Sequence, residues 1–177
     1  SKNSIEVKEE GNQLFPVFLK LNQLKVLLVG GGNIGIEKLQ AVLSNSPEAK
    51  INIVSDTFLP ALLDFVAAYP EVKLFHRKFE SNDLLGHDLV ILATGDNTLN
   101  AEIRSMAREL NLLINVADKP ELCDFYLGSI VKKGDLKIGI STNGKSPTIA
   151  KRLKELFQEN LPDELDLSLQ QMNALRN

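Results

Sequence analysis

Lys25-Val26-Leu27-Leu28-Val29-Gly30-Gly31-Gly32-Asn33-Ile34-Gly35 decides the fold. A short continuous apolar run ends at glycines, as expected for a strand buried on both faces of a parallel sheet. The glycines have the spacing G-x-G-x-x-G and lead into Ile34, Leu39, Val42 and Leu43, which recur at roughly helical spacing. Gly30 permits a tight turn, Gly32 lets the backbone approach a pyrophosphate, and Gly35 allows close helix–strand packing. The helix N-terminus adds free N–H donors and the positive end of its dipole. A bare hexapeptide of this kind also arises as a tightly packed turn. Its position between strand and helix is what predicts a dinucleotide site.

On the C-terminal side the alternation continues. Ile51, Ile53 and Val54 supply a second strand, Leu62, Leu63, Phe65 and Val66 a helix, and Val72-Lys73-Leu74-Phe75 a third strand. Leu89-Val90-Ile91-Leu92-Ala93 is the next buried strand, residues 101–110 a helix, and Leu112-Leu113-Ile114-Asn115-Val116 a fifth strand. Short connections between such elements predict a Rossmann-type, doubly wound parallel α/β sheet with right-handed crossovers. Beyond Val116 the pattern changes. Residues 125–131 and 136–141 read as strands joined through Lys132-Lys133-Gly134-Asp135, a hairpin-type connection. Ser146 as N-cap and Pro147 at the first helical position predict a helix to about Asn160, and another starts near Pro162-Asp163-Glu164. The expected organisation is a dinucleotide-binding domain over 1–116, a small α+β hairpin module for dimerisation and substrate over 117–146, and a helical region over 147–177. On the N-terminal side, Phe15-Pro16-Val17-Phe18-Leu19 reads as a short extended segment, with Pro16 favouring an edge position.

Composition narrows the function. The chain has 177 residues, 44% of them hydrophobic, and a net charge of −3. It lacks the basic excess of a nucleic-acid binder. No apolar run approaches the ~20 residues of a membrane span, and Ser1-Lys2-Asn3-Ser4 has no apolar signal core, so a cytoplasmic protein is expected. One cysteine, Cys123, cannot form an internal disulfide, and with His76 and His87 it cannot fill a structural zinc site. No resident metal is expected.

Several residues are candidates for the site. Asp56, at the end of the second strand, is placed to bind an adenosine ribose and favours NAD over NADP, there being no Arg beside it; otherwise Asp56 or Ser55 caps the next helix. Ala93-Thr94-Gly95-Asp96-Asn97 follows the fourth strand, so Thr94 is expected to line the crevice, with Asp96 or Asn97 an N-cap. Asp118 follows the fifth strand, where α/β ligands bind, as either a catalytic group or a structural turn carboxylate. Asn115 is placed to orient Asp118 or to touch substrate. Ser141-Thr142-Asn143-Gly144-Lys145-Ser146-Pro147 opens a helix and suits a carboxylate or phosphate, or is simply a well-capped turn. His76, His87 and Cys123 read as ordinary hydrogen-bonded or packed side chains.

Taken in order, Phe15-Pro16-Val17-Phe18-Leu19, the glycine loop, Ala93-Thr94, Asn115-Val116-Ala117-Asp118, Asp124-Phe125-Tyr126 and the 141–147 loop resemble the precorrin-2 dehydrogenase family of sirohaem synthesis. The similarity runs from about Phe15 to Asn160. It implies NAD-dependent oxidation of precorrin-2 to sirohydrochlorin by a homodimer whose second module is shared between subunits, and in some members Fe²⁺ insertion in the same pocket. By that resemblance Asp118 matches the essential aspartate, Asn33, Ile34, Asp56 and Thr57 the cofactor contacts, and Thr142 a substrate-side hydroxyl.

The resemblance fits the chemistry of the residues. Oxidation removes a hydride and a proton, so a carboxylate beside a nicotinamide can act as general base. A polycarboxylate substrate calls for concentrated donors, for which Lys145, Ser146 and the helix N-terminus are the candidates, with Arg152 behind them. The chain has no room for the methyltransferase domain of the fused bacterial form, so methylation is expected elsewhere. A different class of reading is an NAD-binding sensor without tetrapyrrole turnover. It accounts for the glycine loop and leaves the Asp118 and Thr142 loops unexplained. A third is a chelatase independent of NAD.

Overall fold

The computed structural model describes residues 10–163 and 165–176, with the backbone alone for 166–169. Ser1–Ser4 and Glu164 lie outside the described residues. The chain forms two compact units, one of residues 19–127 and one of residues 1–18 with 128–177.

In the first unit, β1 (Lys25–Val29), β2 (Lys50–Ser55), β3 (Val72–His76), β4 (Leu89–Leu92) and β5 (Leu113–Val116) form a parallel sheet of order β3-β2-β1-β4-β5. The crossovers are α1 (Asn33–Asn45), α2 (Pro60–Val66), a 3₁₀ turn at Ser81–Leu84 and α3 (Asn97–Glu109). Successive strand side chains point to opposite faces, and that period of two sorts the core. Val26 and Leu28 of β1 join Leu89 and Ile91 of β4 under α1 and α2, packed on Leu39, Val42, Leu43, Leu62 and Val66. Leu27 and Val29 join Val90 and Leu92 on the other face, against Ile103 and Ala107 of α3 and Leu84. Truncating one of these fully buried leucines to alanine costs about 2–5 kcal/mol. α3 ends in a Schellman motif, with Leu112 N–H donating to Ala107 O (2.9 Å), Asn111 N–H to Arg108 O (3.1 Å), and Asn111 at φ 56°. That stop turns the chain into β5.

The edge of β5 is closed by side chains instead of a sixth strand. Ile114 N–H donates to Asp124 Oδ2 (3.1 Å), Val116 N–H to Cys123 Sγ (3.1 Å) and Asp124 N–H to Ile114 O (2.7 Å). α3 holds this cover in place through Arg104 Nε to Leu122 O (3.0 Å) and the Arg108–Asp124 ion pair (2.5 Å). Buried backbone groups must find partners, and Asp124 and Cys123 supply them here.

In the second unit, β6 (Ser129–Lys133) and β7 (Leu136–Ile140) pair antiparallel, and α4 (Pro147–Asn160) packs on β6, followed by α5 (Leu165–Ala174). The hairpin turn is Gly134–Asp135, with Gly134 at φ 60°, the glycine-first arrangement of tight two-residue turns. β6 begins at Ser129, so residues 125–128 are not strand. Residues 15–19 are not paired to any strand among the described residues, contrary to the edge position expected, and Phe15 and Phe18 are 86% and 76% exposed. Only Val131 and Ala150 are buried among the described residues of this unit.

Candidate functional site

At the carboxyl ends of β1, β2 and β4 lies a cleft of about 600 Å³. Gly30, Gly31 and Gly32 form one wall, and each does something different. Gly30 sits at φ 120°, and a Cβ there would strike the Ala93 carbonyl oxygen. A Cβ on Gly31 would strike the Thr57 carbonyl oxygen and come within 2.8 Å of the Phe58 ring. A Cβ on Gly32 would meet nothing within 4 Å. Gly32 therefore faces open space, where a side chain would fill room that a ligand's phosphates need. Gly35 is the packing glycine, since its Cβ would lie 2.6 Å from Gly30 O. Gly32 is also the N-cap of α1 and has no side chain to cap it, and the first turn carries no acidic residue. Exposed Asn33 and half-buried Ile34 begin that helix, so its N–H groups and dipole are open to an anion.

Asp56 and Thr57 line the same cleft, just past β2. The N-cap of α2 is Leu59, which makes no side-chain cap, so neither Asp56 nor Ser55 caps that helix. Ser55 instead closes a local turn, donating to Thr57 O (2.7 Å) and accepting from Thr57 N–H (3.3 Å). Asp56 carries an exposed carboxylate with no ion pair among the described residues. Thr94 lines the opposite wall, but its hydroxyl is committed. It donates to Asn100 Oδ1 (2.9 Å) and accepts from Asp96 N–H (3.1 Å), while Asn100, only 2% exposed, donates to Thr94 O (3.0 Å). Thr94 thus shapes the wall as part of a turn clamp. Asp96 is the α3 N-cap, accepting from Leu99 N–H at 3.0 Å.

Asp118 stands at the carboxyl end of β5, exposed, at φ 60°, in a turn closed by Lys119 N–H to Val116 O (3.2 Å). The left-handed region is uncommon for a residue with a Cβ, and Asp and Asn tolerate it best. The Cys123 thiol grips that turn. Besides accepting the Val116 N–H, it lies 3.3 Å from both Val116 O and Lys119 O as a donor. Burial pushes the Cys123 thiol above its ordinary pKa, so it stays protonated. Asn115 is 4% exposed, and its Nδ2 donates to Phe125 O (2.9 Å). Its Oδ1 is buried and has no hydrogen-bond partner among the described residues. An unpaired buried acceptor is costly and calls for a reason.

In the other unit, the 141–146 loop is internally satisfied. Thr142 Oγ1 donates to Ser146 O (3.1 Å) and accepts from Ser146 N–H (3.2 Å), and Ser146 Oγ accepts from Ile149 N–H (3.2 Å) as N-cap of α4. Ser141 Oγ accepts from Asn143 N–H (3.1 Å) and from Asn12 Nδ2 (3.1 Å). The well-capped turn is the geometry observed, and exposed Lys145 makes no ion pair among the described residues. Arg152 is exposed on α4.

The two histidines stay outside the cleft lining. His76 Nε2 donates to Asp56 O (2.8 Å) and its ring meets Phe58 edge-on, while His87 Nε2 lies 3.0 Å from Asn52 Nδ2. Burial lowers the pKa of His87, which favours the neutral ring. Among the described residues there is no cluster of three or more His, Cys, Asp or Glu fit to hold a metal.

Sequence reasoning missed Gly31, Lys78, Phe79 and Asn100. Lys78 and Phe79 reach the cleft from the connection after β3. The local signal was the triple glycine itself, whose middle residue is as crowded as Gly30, while Gly32 faces open space.

Comparisons with known proteins agree with this geometry. Residues 17–129 match the family described as "Putative NAD(P)-binding", and residues 133–160 match "Sirohaem biosynthesis protein central". Siroheme synthase 1 of Klebsiella pneumoniae is 35% identical over 164 residues, covering 92% of this chain and 34% of that protein. The siroheme synthase of Methylococcus capsulatus is 32% identical over 147 residues, covering 83% of this chain and 30% of that protein. The chain thus spans about a third of the length of these curated relatives. The solved structure of SirC, precorrin-2 dehydrogenase, superposes with a TM-score of 0.75 at 26% identity, covering 92% of this chain and 79% of that one. A glycine cleft at the carboxyl ends of a doubly wound sheet, joined to a sirohaem-biosynthesis segment, places the chain in the NAD(P)-binding family of sirohaem biosynthesis, to which precorrin-2 dehydrogenases and sirohaem synthases belong.

Proposed function

We propose that this chain is an NAD-dependent dehydrogenase that oxidises precorrin-2 to sirohydrochlorin. The observation that carries the reading is Asp118, an exposed carboxylate held at φ 60° at the carboxyl end of β5, in the unit that carries the glycine cleft. The cleft fits a dinucleotide: Gly32 leaves the space a pyrophosphate needs, the uncapped α1 N-terminus with Asn33 and Ile34 faces it, and Asp56 with Thr57 offers acceptors to a ribose. When bound, NAD supplies the hydride acceptor. Asp118 takes the proton that leaves the macrocycle, and the rigid turn beneath it limits the motion of its carboxylate. Asn115, buried on β5 with its Nδ2 bonded to Phe125 O and its Oδ1 unpaired among the described residues, is the residue we assign to positioning Asp118 or the macrocycle.

The substrate carries many carboxylates, and Lys145 with the α4 N-terminus is the donor set we assign to them. Thr142 and Ser146 act by shaping the loop, since their hydroxyls are already bonded within it. We also assign a cytoplasmic homodimer. Among the described residues of the second unit the two buried apolar ones do not stabilise it alone, and Phe15, Val17, Phe18, Ile149 and Leu156 stay exposed. Fe²⁺ insertion, with iron as a substrate, belongs to the same reading.

The test is a coupled assay of the 177-residue chain with precorrin-2, with and without NAD and Fe²⁺. Sirohydrochlorin and NADH should appear together only with NAD, and iron should then convert the product to sirohaem. NADH binding without turnover of the tetrapyrrole would replace this reading with that of a nucleotide sensor. Light scattering at micromolar concentration tests the dimer, and a stable monomer rejects it.

A further inference from the structure

We propose that Lys78 is a phosphate-binding residue at the adenosine end of the cleft, an assignment that rests on the dinucleotide reading above. Lys78 is the one cation among the described residues that line the cleft, which also include two carboxylates, Asp56 and Asp96. Asp96 is engaged as the α3 N-cap. A dinucleotide brings at least two phosphate charges into this surrounding, and the α1 N-terminus offers only about half an elementary charge against them. A cation adds to that attraction, and Lys78 is placed to supply it.

Its position is held from several sides. Arg77 N–H donates to Ser55 O (2.9 Å) and His76 Nε2 donates to Asp56 O (2.8 Å), so the chain just before Lys78 is tied to the end of β2 that carries Asp56. Arg77 is the stronger phosphate-binding type, but it is already used. Its guanidinium makes two bonds to Asp83 (2.8 and 2.5 Å) and a third to the Lys78 carbonyl (3.1 Å). Asp83 in turn accepts Glu80 N–H (2.8 Å). Arg77 thus fixes the loop, and Lys78 is left with an exposed ammonium that makes no ion pair among the described residues.

Asp56 and Lys78 therefore present opposite charges at one end of the cleft without neutralising each other. A ribose hydroxyl suits Asp56, whereas a phosphate suits Lys78. The carboxylate beside the ribose favours NAD, and the lysine keeps a ribose 2′-phosphate from being excluded. The two possible phosphates, the pyrophosphate of either dinucleotide and the 2′-phosphate of NADP, are separable by choice of ligand.

The test is calorimetric titration of the full chain and of Lys78→Met and Lys78→Arg with ADP, NAD, NADP and adenosine 2′,5′-bisphosphate. Lys78→Met is expected to weaken the phosphate ligand it contacts by about tenfold, the effect of one charge-assisted bond at an exposed site, and Lys78→Arg to restore most of it. A loss confined to NADP and the 2′,5′-bisphosphate supports the assignment at the 2′-phosphate. A loss shared by ADP, NAD and NADP supports it at the pyrophosphate. If Lys78→Met binds all four as the wild type does, the assignment is overturned while the cofactor site stands. If the wild type binds none of the four, the dinucleotide reading falls and the assignment with it.

Discussion

The Cys123 thiol accepts the Val116 backbone N–H at 3.1 Å, so a side chain closes the sheet edge at the residue where the Asp118 turn begins. A cysteine that looked like a small packed group in isolation is a structural strut of the carboxyl end of β5. Cys123→Ala leaves the buried Val116 N–H without a partner, at a cost of about 1–3 kcal/mol. Cys123→Ser keeps a donor and acceptor there and should lose less. Urea melts of the two variants measure the difference, and equal stabilities would remove the hydrogen bond from the argument. Because burial favours the neutral thiol, alkylation should be slow in the native protein and fast in denaturant.

Asp118 separates backbone strain from chemistry. At φ 60° an alanine is strained and a glycine is not. Asp118→Ala should lose about 1 kcal/mol of stability, and Asp118→Gly close to none. Both should lose about 10²- to 10⁴-fold in the rate of precorrin-2 oxidation, the scale of general base catalysis. Melting midpoints and single-turnover rates measured side by side check this, and a variant that keeps the full rate excludes Asp118 as the base.

Adjacent glycines should fail in different ways. Gly31→Ala drives a methyl group into the Thr57 carbonyl, which is backbone and cannot swing away, so the variant should lose about 1–3 kcal/mol. Gly32→Ala meets open space and should melt within about 0.5 kcal/mol of wild type. Its defect should instead appear in NAD affinity, weakened by at least about tenfold because the methyl group fills space the phosphates need. Thermal melts beside NAD titrations distinguish the two, and normal NAD affinity in Gly32→Ala would contradict the cleft assignment.

Acid should destabilise the protein in two steps. Burial lowers the His87 pKa below its ordinary 6.5, so the unfolded chain binds a proton there before the folded one does. Stability from this group is complete above that value and is lost as pH falls through the folded pKa. The hydrogen bonds from Arg77 hold the Asp83 carboxyl below its ordinary 3.8, so its contribution is present above that value and is lost only on further acidification. Melts from pH 8 into strong acid should show both losses, the lower one setting in only below 3.8. Asp83→Asn should flatten the lower one and leave the one starting near 6.5, and a single unchanged transition in that variant would refute the assignment of the lower step.

Much of the fold is legible because its signals are local. The apolar runs of β1 and β4, the glycine spacing, Asp96 as a cap and the Ser146-Pro147 helix start all act between neighbours a few residues apart. The extended Phe15–Leu19 segment shows the limit. An apolar stretch is easily recognised, but whether it finds a strand to pair with depends on what lies beside it.

The candidate site divides in the same way. The amino-acid sequence by itself determined the doubly wound sheet, the cleft at its carboxyl end, and the carboxylates Asp56 and Asp118 at the ends of their strands. Only the tertiary structure decided which polar groups are free to bind and which are already used. Thr94 is bound to Asn100, Thr142 to Ser146, Arg77 to Asp83 and Cys123 to Val116, while the charged groups of Lys78 and Asp56 and the Asn115 Oδ1 have no such partner among the described residues. The physical reason is that a hydrogen bond or ion pair satisfies a group through space. The Arg77 N–H that ties the chain before Lys78 to the end of β2 ends on Ser55, far back along the chain, where no spacing rule can place it.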